Sequence, residues 1–177
     1  MPTIITHAAP ALALGAALGF RRIPPRLFWA VVFCAMLPDF DVIGFRFGVR
    51  YADLLGHRGF SHSLSFALVC GGLGALAAPS WLRCRRTLAF GLMFAAVASH
   101  IALDAATSGG LGVAAFWPFS EARFFFPWRP IQVSPLSLRV FFSGRGLEVL
   151  RSECLWVWLP CLTLALATRA GLSRRSR

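Results

Sequence analysis

Five apolar stretches, separated by short clusters of arginine, proline and glycine, organise this chain. The first covers residues 3–20 without a formal charge and stops at Arg21-Arg22, after which Pro24-Pro25 and Arg26 complete a short basic loop. A second, shorter run at 27–37 ends at Pro38-Asp39-Phe40-Asp41, where two carboxylates interrupt the apolar sequence. Runs at 60–82, closed by Arg83, Arg85 and Arg86, and at 88–106, closed by Thr107-Ser108-Gly109-Gly110, are long enough to cross a bilayer core, which takes about 20 helical residues. The fifth has its core at 155–167 and leads into Arg169, Arg174, Arg175 and Arg177, the basic tail of residues 168–177. This pattern predicts an all-α, polytopic membrane helix bundle of about five transmembrane helices, forming one integral-membrane domain over 1–177. No positive residue precedes the first run, so the n-region of a signal peptide is missing and the run is expected to stay as a span.

The stretch 109–153 reads as neither a span nor a plain linker. Phe116-Trp117-Pro118-Phe119 and Phe124-Phe125-Phe126-Pro127-Trp128 are aromatic and proline-rich, with Arg123 and Arg129 interleaved. Such a mixture suits the lipid headgroup layer, so an interfacial segment is expected here.

Composition removes the soluble alternatives. Apolar residues make up 57% of the chain, charged ones 14%, and the mean hydropathy is +0.66. A domain of about 150 residues buries only about 70% of its unfolded surface, so lipid must cover the remaining apolar area. The net charge of +11 raises the question of nucleic acid, but the arginines sit in clusters between apolar runs and not along one basic face. Membrane lipids are the expected partners; nucleic acid is not, and no protein partner can be inferred. The five cysteines form no C-x-x-C pair, which speaks against a disulfide framework and a thiolate metal site.

Arginine placement orients the spans. The loops after the first and third runs each carry three arginines and the tail carries four, all on one side if five spans alternate. The other side carries eight, five of them spread through the long 109–153 stretch, which counts lightly in topology. The dense clusters are therefore expected in the cytoplasm, with 109–153 facing outward.

Against this background the buried polar residues stand out. The chain has four histidines, His7, His57, His62 and His100, while Asp39, Asp41 and Asp104 lie in or beside apolar runs. His7 is 14 residues from Arg21, Asp39 is 13 from Arg26 and His100 is 14 from Arg86. At about 1.5 Å per residue each lies roughly 20 Å above its basic anchor, so three helices deliver them to one layer. His57 and His62 enter the same layer at the start of the third run. His100 and Asp104, four residues apart, share a helix face. Carboxylates in an apolar setting need a cation, and this set offers nitrogen and oxygen donors without sulfur. That suits a divalent ion, Zn²⁺ first, with Mn²⁺ or Fe as alternatives. Seven candidates, His7, Asp39, Asp41, His57, His62, His100 and Asp104, exceed one tetrahedral ion. Either two ions share a bridging carboxylate or some of the seven orient the others from behind. Asp53, Glu121 and Glu148 read as ordinary solvated acids.

The blocks Leu37-Pro38-Asp39-Phe40-Asp41, His57-Arg58-Gly59-Phe60-Ser61-His62-Ser63, His100-Ile101-Ala102-Leu103-Asp104 and Pro118-Phe119-Ser120-x-x-Arg123, with His7 near the start, resemble the YdjM-like family of inner-membrane proteins described as metal-dependent hydrolases. The resemblance covers about residues 1–140, and its most specific element is H-R-G-x-[ST]-H-S followed by H-x-x-x-D. It implies a helical protein of the bacterial inner membrane, a metal site made by these histidines and aspartates, and a hydrolase activity. A fainter similarity to zinc-dependent phospholipase C and related nucleases is analogy only.

The leading expectation is a hydrolase using metal-activated water on a phosphoester of a lipid or lipid-linked substrate, its site open to the periplasm or outer leaflet. His57, His62 and Asp104 are the candidates for catalysis, and Arg58 and Arg123 for holding the anionic substrate in a guanidinium fork. Ser61, Ser63, Thr107 and Ser108 are expected to orient ligands and not to attack. Two other classes remain: a metal-ion or proton carrier, which needs polar groups leading to both faces, and a non-catalytic bundle stapled by metal.

Overall fold

The computed structural model describes residues 1–175. The first helix, α1, covers Thr6–Leu18. It opens with a 3-10 turn at Thr6–Ala8 and ends at Gly19, whose φ of 69° suits a residue without a Cβ and whose N–H returns to the Gly15 carbonyl. At that length α1 falls short of a full bilayer crossing, unlike the 3–20 span expected from hydropathy.

Helix α2 runs over Pro25–Phe47. Pro25 stands in its first turn, where the missing N–H is no loss. The helix is α-helical to Met36 and then tightens into a 3-10 stretch, Leu37–Phe47. The expected stop at Pro38 is therefore a change of pitch: Pro38 falls in the first turn of the tighter segment, where it is tolerated, and Asp39 and Asp41 lie inside the element.

Helices α3, Leu64–Leu82, and α4, Arg86–Ala105, are joined by a short turn and form the most extensive helix pair. The Ser63 hydroxyl caps α3 by accepting from the Phe66 N–H at 3.1 Å. Gly71 allows the close approach of the pair, since a Cβ there would meet the Phe90 ring at 3.1 Å. The core, including Leu27, Val31, Ala35, Ala67, Cys70, Val97 and Ile101, lies between α2, α3 and α4. Trp29, Phe33, Leu68, Leu76 and Leu166 face outward, as lipid contact requires.

The last helix, α5, covers Phe141–Arg174 and packs along α1. It bends where Ser143 and Gly144 leave helical geometry and continues through Gly146–Glu153 and on from Leu159. Thus the end of the expected 109–153 segment is helical: Arg145, Glu148 and Arg151 make this part amphipathic, which lowers its hydropathy without breaking the helix. Arg177 of the basic tail lies outside the described residues. Among the described residues no strand forms; isolated bridges, Thr107 with Ile131 and Val113 with Phe124, hold the segment between α4 and α5. Among the described residues four helices are long and apolar enough to cross a membrane, and α1 is a shorter apolar helix beside them.

Candidate metal centre

Each donor arrives on a differently built element. His7 sits in the opening turn of α1 and Asp39 in the 3-10 stretch of α2. His62 ends a short turn, Phe60–His62, just ahead of α3, and His57 precedes it in the loop from α2. His100 and Asp104 are one turn apart on α4. The common depth counted from the arginine clusters is realised as direct contact. The His7 and His100 rings stack with centroids 3.5 Å apart. His7 Nε2 lies 3.4 Å from Asp39 Oδ2 and 3.5 Å from Asp104 Oδ1, and His100 Nε2 lies 3.6 Å from Asp39 Oδ1.

The donor chemistry fits a cation. Both nitrogens of His7, both oxygens of Asp39 and of Asp104, and His57 Nε2 are buried without a hydrogen-bond partner. Orphaned polar atoms are expensive in a protein interior and more so in a membrane. The donors fall into two sets, His7, Asp39, His100, Asp104 and Asp39, His57, His62, and within each set the ligand atoms lie within 4.8 Å of one another. Ligands around one tetrahedral ion at about 2.0–2.2 Å lie roughly 3.3–3.6 Å apart, a spacing that His7 Nε2 already shows to Asp39 at 3.4 Å and to Asp104 at 3.5 Å. Asp39 belongs to both sets and could serve either.

Hydrogen bonds fix how the imidazoles present themselves. The Ala35 carbonyl, at 2.8 Å, can only accept, so it places the proton of His100 on Nδ1 and leaves the Nε2 lone pair facing His62 Nε2 at 3.0 Å. Asp41 belongs to neither donor set. It sits behind the histidines, 2.7 Å from His57 Nδ1 and 3.3 Å from His62 Nδ1, and also accepts from the Ser61 hydroxyl at 2.6 Å. Burial alone would push the His62 imidazolium down, but Asp104, Asp39 and Asp41 outweigh it and raise the pKa to about 10. The Met1 amine, 3.9 Å from Asp104 Oδ1, is pulled down to about 6 by burial. At neutral pH and without metal the surroundings thus hold three carboxylates against the Arg58 guanidinium and the His62 imidazolium, a small excess of negative charge that grows when a divalent ion displaces the His62 proton.

Arg58 is fully buried and adopts φ 65°, a left-handed conformation that costs a non-glycine residue about 1–2 kcal/mol. Its side chain reaches inward: Nε lies 3.0 Å from Asp104 Oδ2, and the two terminal nitrogens donate to Gly109 O and Thr107 Oγ1. Gly110 gives it room, since a Cβ there would lie 2.8 Å from the guanidinium. Arg123 donates to the carbonyls of His57, Ala52 and Asp53 and so ties down the loop over the donors. Both arginines expected to hold substrate therefore face protein partners, one on a donor carboxylate and the other on the covering loop. Of the hydroxyls, Ser61 steadies Asp41 and Thr107 steadies Arg58, while Ser63 caps α3 and Ser108 accepts from the Val133 N–H.

Glu153 is a residue that sequence reasoning missed. It is buried on α5 and accepts from the Thr3 N–H, from Thr3 Oγ1 at 2.8 Å and from Thr6 Oγ1 at 2.7 Å. Trp158 Nε1 donates to the same Thr6 hydroxyl at 2.9 Å. Together these clamp the residues just ahead of His7 onto α5. No motif marks Glu153, which lies in a polar run before an apolar one and reads as a boundary.

Fold and site together define a polytopic, all-helical membrane protein whose buried histidines and aspartates could hold metal. More particularly, the chain belongs to the YdjM inner membrane protein family, whose model matches residues 1–176. It is 46% identical over 164 residues to inner membrane protein YbcI of Escherichia coli (strain K12), covering 93% of this chain and 95% of that one. No solved structure matches. Membership of this family and the apolar helices identify an inner-membrane protein.

Proposed function

We propose that the protein is a membrane-embedded, metal-dependent hydrolase acting on a phosphoester of a lipid or lipid-linked substrate, with its site towards the periplasm or outer leaflet. The observation that carries this reading is the pair of buried His and Asp donor sets that share Asp39, in which His7, Asp39, Asp104 and His57 Nε2 lack hydrogen-bond partners. Zn²⁺, or Mn²⁺ or Fe, would be held by His7, Asp39, His57, His62, His100 and Asp104, as one ion or two. When bound, such a cation supplies Lewis acidity towards a phosphoryl oxygen and acidifies water to about pKa 7.

The chain's own residues supply the rest. Asp41 holds His57 through Nδ1 and leaves Nε2 buried and unpaired, so this nitrogen serves as a ligand or, with the ion held by the other donors alone, as a proton acceptor. Arg58 fixes Asp104, and His100 is fixed by the Ala35 carbonyl, so the donors need little reorganisation. Substrate would reach them when the loop held by Arg123 moves.

The enclosure of the donors, with His7, Asp39, His62, His100 and Asp104 at 0% exposure, favours a second reading: a non-catalytic bundle stapled by metal. One experiment separates the two. Purified protein is assayed for bound metal and for hydrolysis of a panel of soluble and lipid phosphoesters, alongside His100→Ala. Metal-dependent turnover that His100→Ala abolishes supports the hydrolase. Bound metal without turnover on any member, with unfolding on chelation, supports the staple.

A further inference from the structure

At the end of α1 opposite His7, three guanidinium groups surround one hollow. It has a volume of about 340 Å³ and is lined by Arg21 and Arg22 from the loop after α1, by Arg169 from α5, and by Gly19 and Phe20. All three arginines are exposed. The chain has no counter-ion nearby in sequence, because its seven acids lie at 39–53, at 104 and at 121–153. Among the described residues no ion pair or hydrogen bond engages these three side chains. The carbonyl ends of α1 and α5 offset only about half a charge each. Roughly two positive charges remain uncompensated at one point, and guanidinium groups in this number match phosphate.

A second feature adjoins the first. An apolar groove of about 180 Å³ runs along the seam between α1 and α5, lined by Pro10, Ala13, Leu14, Leu164, Ala165 and Thr168 among others. It shares Ala17 and Leu18 with the basic hollow, so the two are continuous. The small side chains of Ala13 and Ala17 on α1 leave this space open. A ligand filling both parts has an anionic head and an apolar tail, which free phosphate or a soluble anion lacks.

We propose that the seam between α1 and α5 is a binding site for an anionic phospholipid. Arg21, Arg22 and Arg169 hold its phosphate, and one acyl chain lies along Ala13, Ala17, Leu164 and Ala165. Basic pockets between membrane helices on the cytoplasmic side take lipid headgroups in this way, and the arginine distribution puts this end of the bundle there. The site is independent of the His/Asp cluster and of any hydrolase activity.

The test uses the full chain, purified in detergent and returned to nanodiscs of phosphatidylcholine with graded phosphatidylglycerol. Native mass spectrometry then counts bound lipid. One phosphatidylglycerol per chain should survive washing that removes phosphatidylcholine. Arg21→Gln, Arg22→Gln and Arg169→Gln, each a change at an exposed position, should weaken its retention about fivefold apiece. Ala13→Phe, which fills the groove without altering charge, should weaken it as well, while Arg83→Gln in a separate basic cluster should leave it unchanged. Equal retention of phosphatidylcholine, displacement of the lipid by inorganic phosphate, an equal loss in Arg83→Gln, or full retention in Ala13→Phe would each overturn the proposal.

Discussion

The Nε2 atoms of His62 and His100 lie 3.0 Å apart, although 38 residues separate them along the chain and they reach each other from a turn and from a helix. The Ala35 carbonyl keeps a proton on the far nitrogen of His100, so the facing nitrogen is a lone pair, and the proton between the two rings belongs to His62. A cation bound in the Asp39, His57, His62 set through His62 Nε2 would require that proton to leave. Proton and metal thus compete for one position, and several measurable consequences rest on this.

Replacing a donor on α4 tests the centre directly. His100→Ala and Asp104→Ala remove donors from a helix whose other contacts, to α2 and α3, are apolar and remain. Under the hydrolase reading metal affinity should fall at least about 100-fold, more than outer partners usually command, with only a modest change in melting temperature. Metal analysis and thermal unfolding in detergent check both. Collapse of the fold in either variant would place the metal among the main sources of stability.

Asp41→Asn keeps size and shape but alters what faces His57 Nδ1, Ser61 and His62 Nδ1. Because Asp41 belongs to neither donor set, the ion should still bind, with affinity lowered about 10- to 100-fold by the loosened imidazoles. Metal titration by calorimetry should separate this partial loss from the larger one in Asp104→Ala. Equal losses would make Asp41 a ligand in its own right.

Stability should also depend on pH in a defined direction. The pKa of His62 is raised from 6.5 to about 10 by Asp104, Asp39 and Asp41 against the opposing effect of burial. A group raised in the folded state stabilises fully below its unfolded pKa and loses that contribution as pH rises through the folded one. Chelator-treated protein should therefore lose melting temperature between about pH 6.5 and pH 10. Metal-loaded protein should not follow it, since the ion replaces the proton and binds more firmly as ligands deprotonate. His62→Gln should remove the slope in the chelated form. A flat profile in chelated wild-type protein over this range would contradict the assigned protonation.

Much of this was legible along the chain, for a physical reason. Apolar run length reports membrane helices directly, and the equal spacings of His7, Asp39 and His100 from basic loops turned rise per residue into depth. Two boundaries were not legible. Pro38 reads as a stop because proline disrupts a continuing α-helix, whereas here it opens a 3-10 stretch. Arg145, Glu148 and Arg151 read as part of an interfacial segment outside the last span, whereas they decorate one face of its helix. In the site, residue type identified the donors, but it could not separate Asp39, which faces two donor sets, from Asp41, which stands behind the histidines; only the backbone path between them decides that. The inward turn of Arg58 was hidden for the same reason, since its left-handed φ has no signature in an arginine.

Glu153 provides the last test, because its role is structural at one end and reaches the site at the other. Its carboxylate accepts from Thr3 and Thr6, and Thr6 immediately precedes His7. Hydrogen bonds to a buried charged group contribute roughly 1.5–3 kcal/mol. In Glu153→Gln one oxygen can still accept, but the amide turns a donor towards hydroxyls that were donating, so the clamp should weaken without leaving a void. Glu153→Ala should destabilise more, as both threonine hydroxyls lose their acceptor in a buried setting. Both variants should release the N-terminal residues from α5, visible as faster amide hydrogen exchange ahead of α1, and both should lower metal affinity through His7 while leaving the donors in place. Substituting Co²⁺ for the bound ion gives a sharper readout, since its visible absorption follows ligand geometry: a changed band in Glu153→Gln at full occupancy would show that His7 has shifted. An unchanged spectrum and unchanged affinity, with faster exchange, would confine Glu153 to holding α5 against the N-terminal segment.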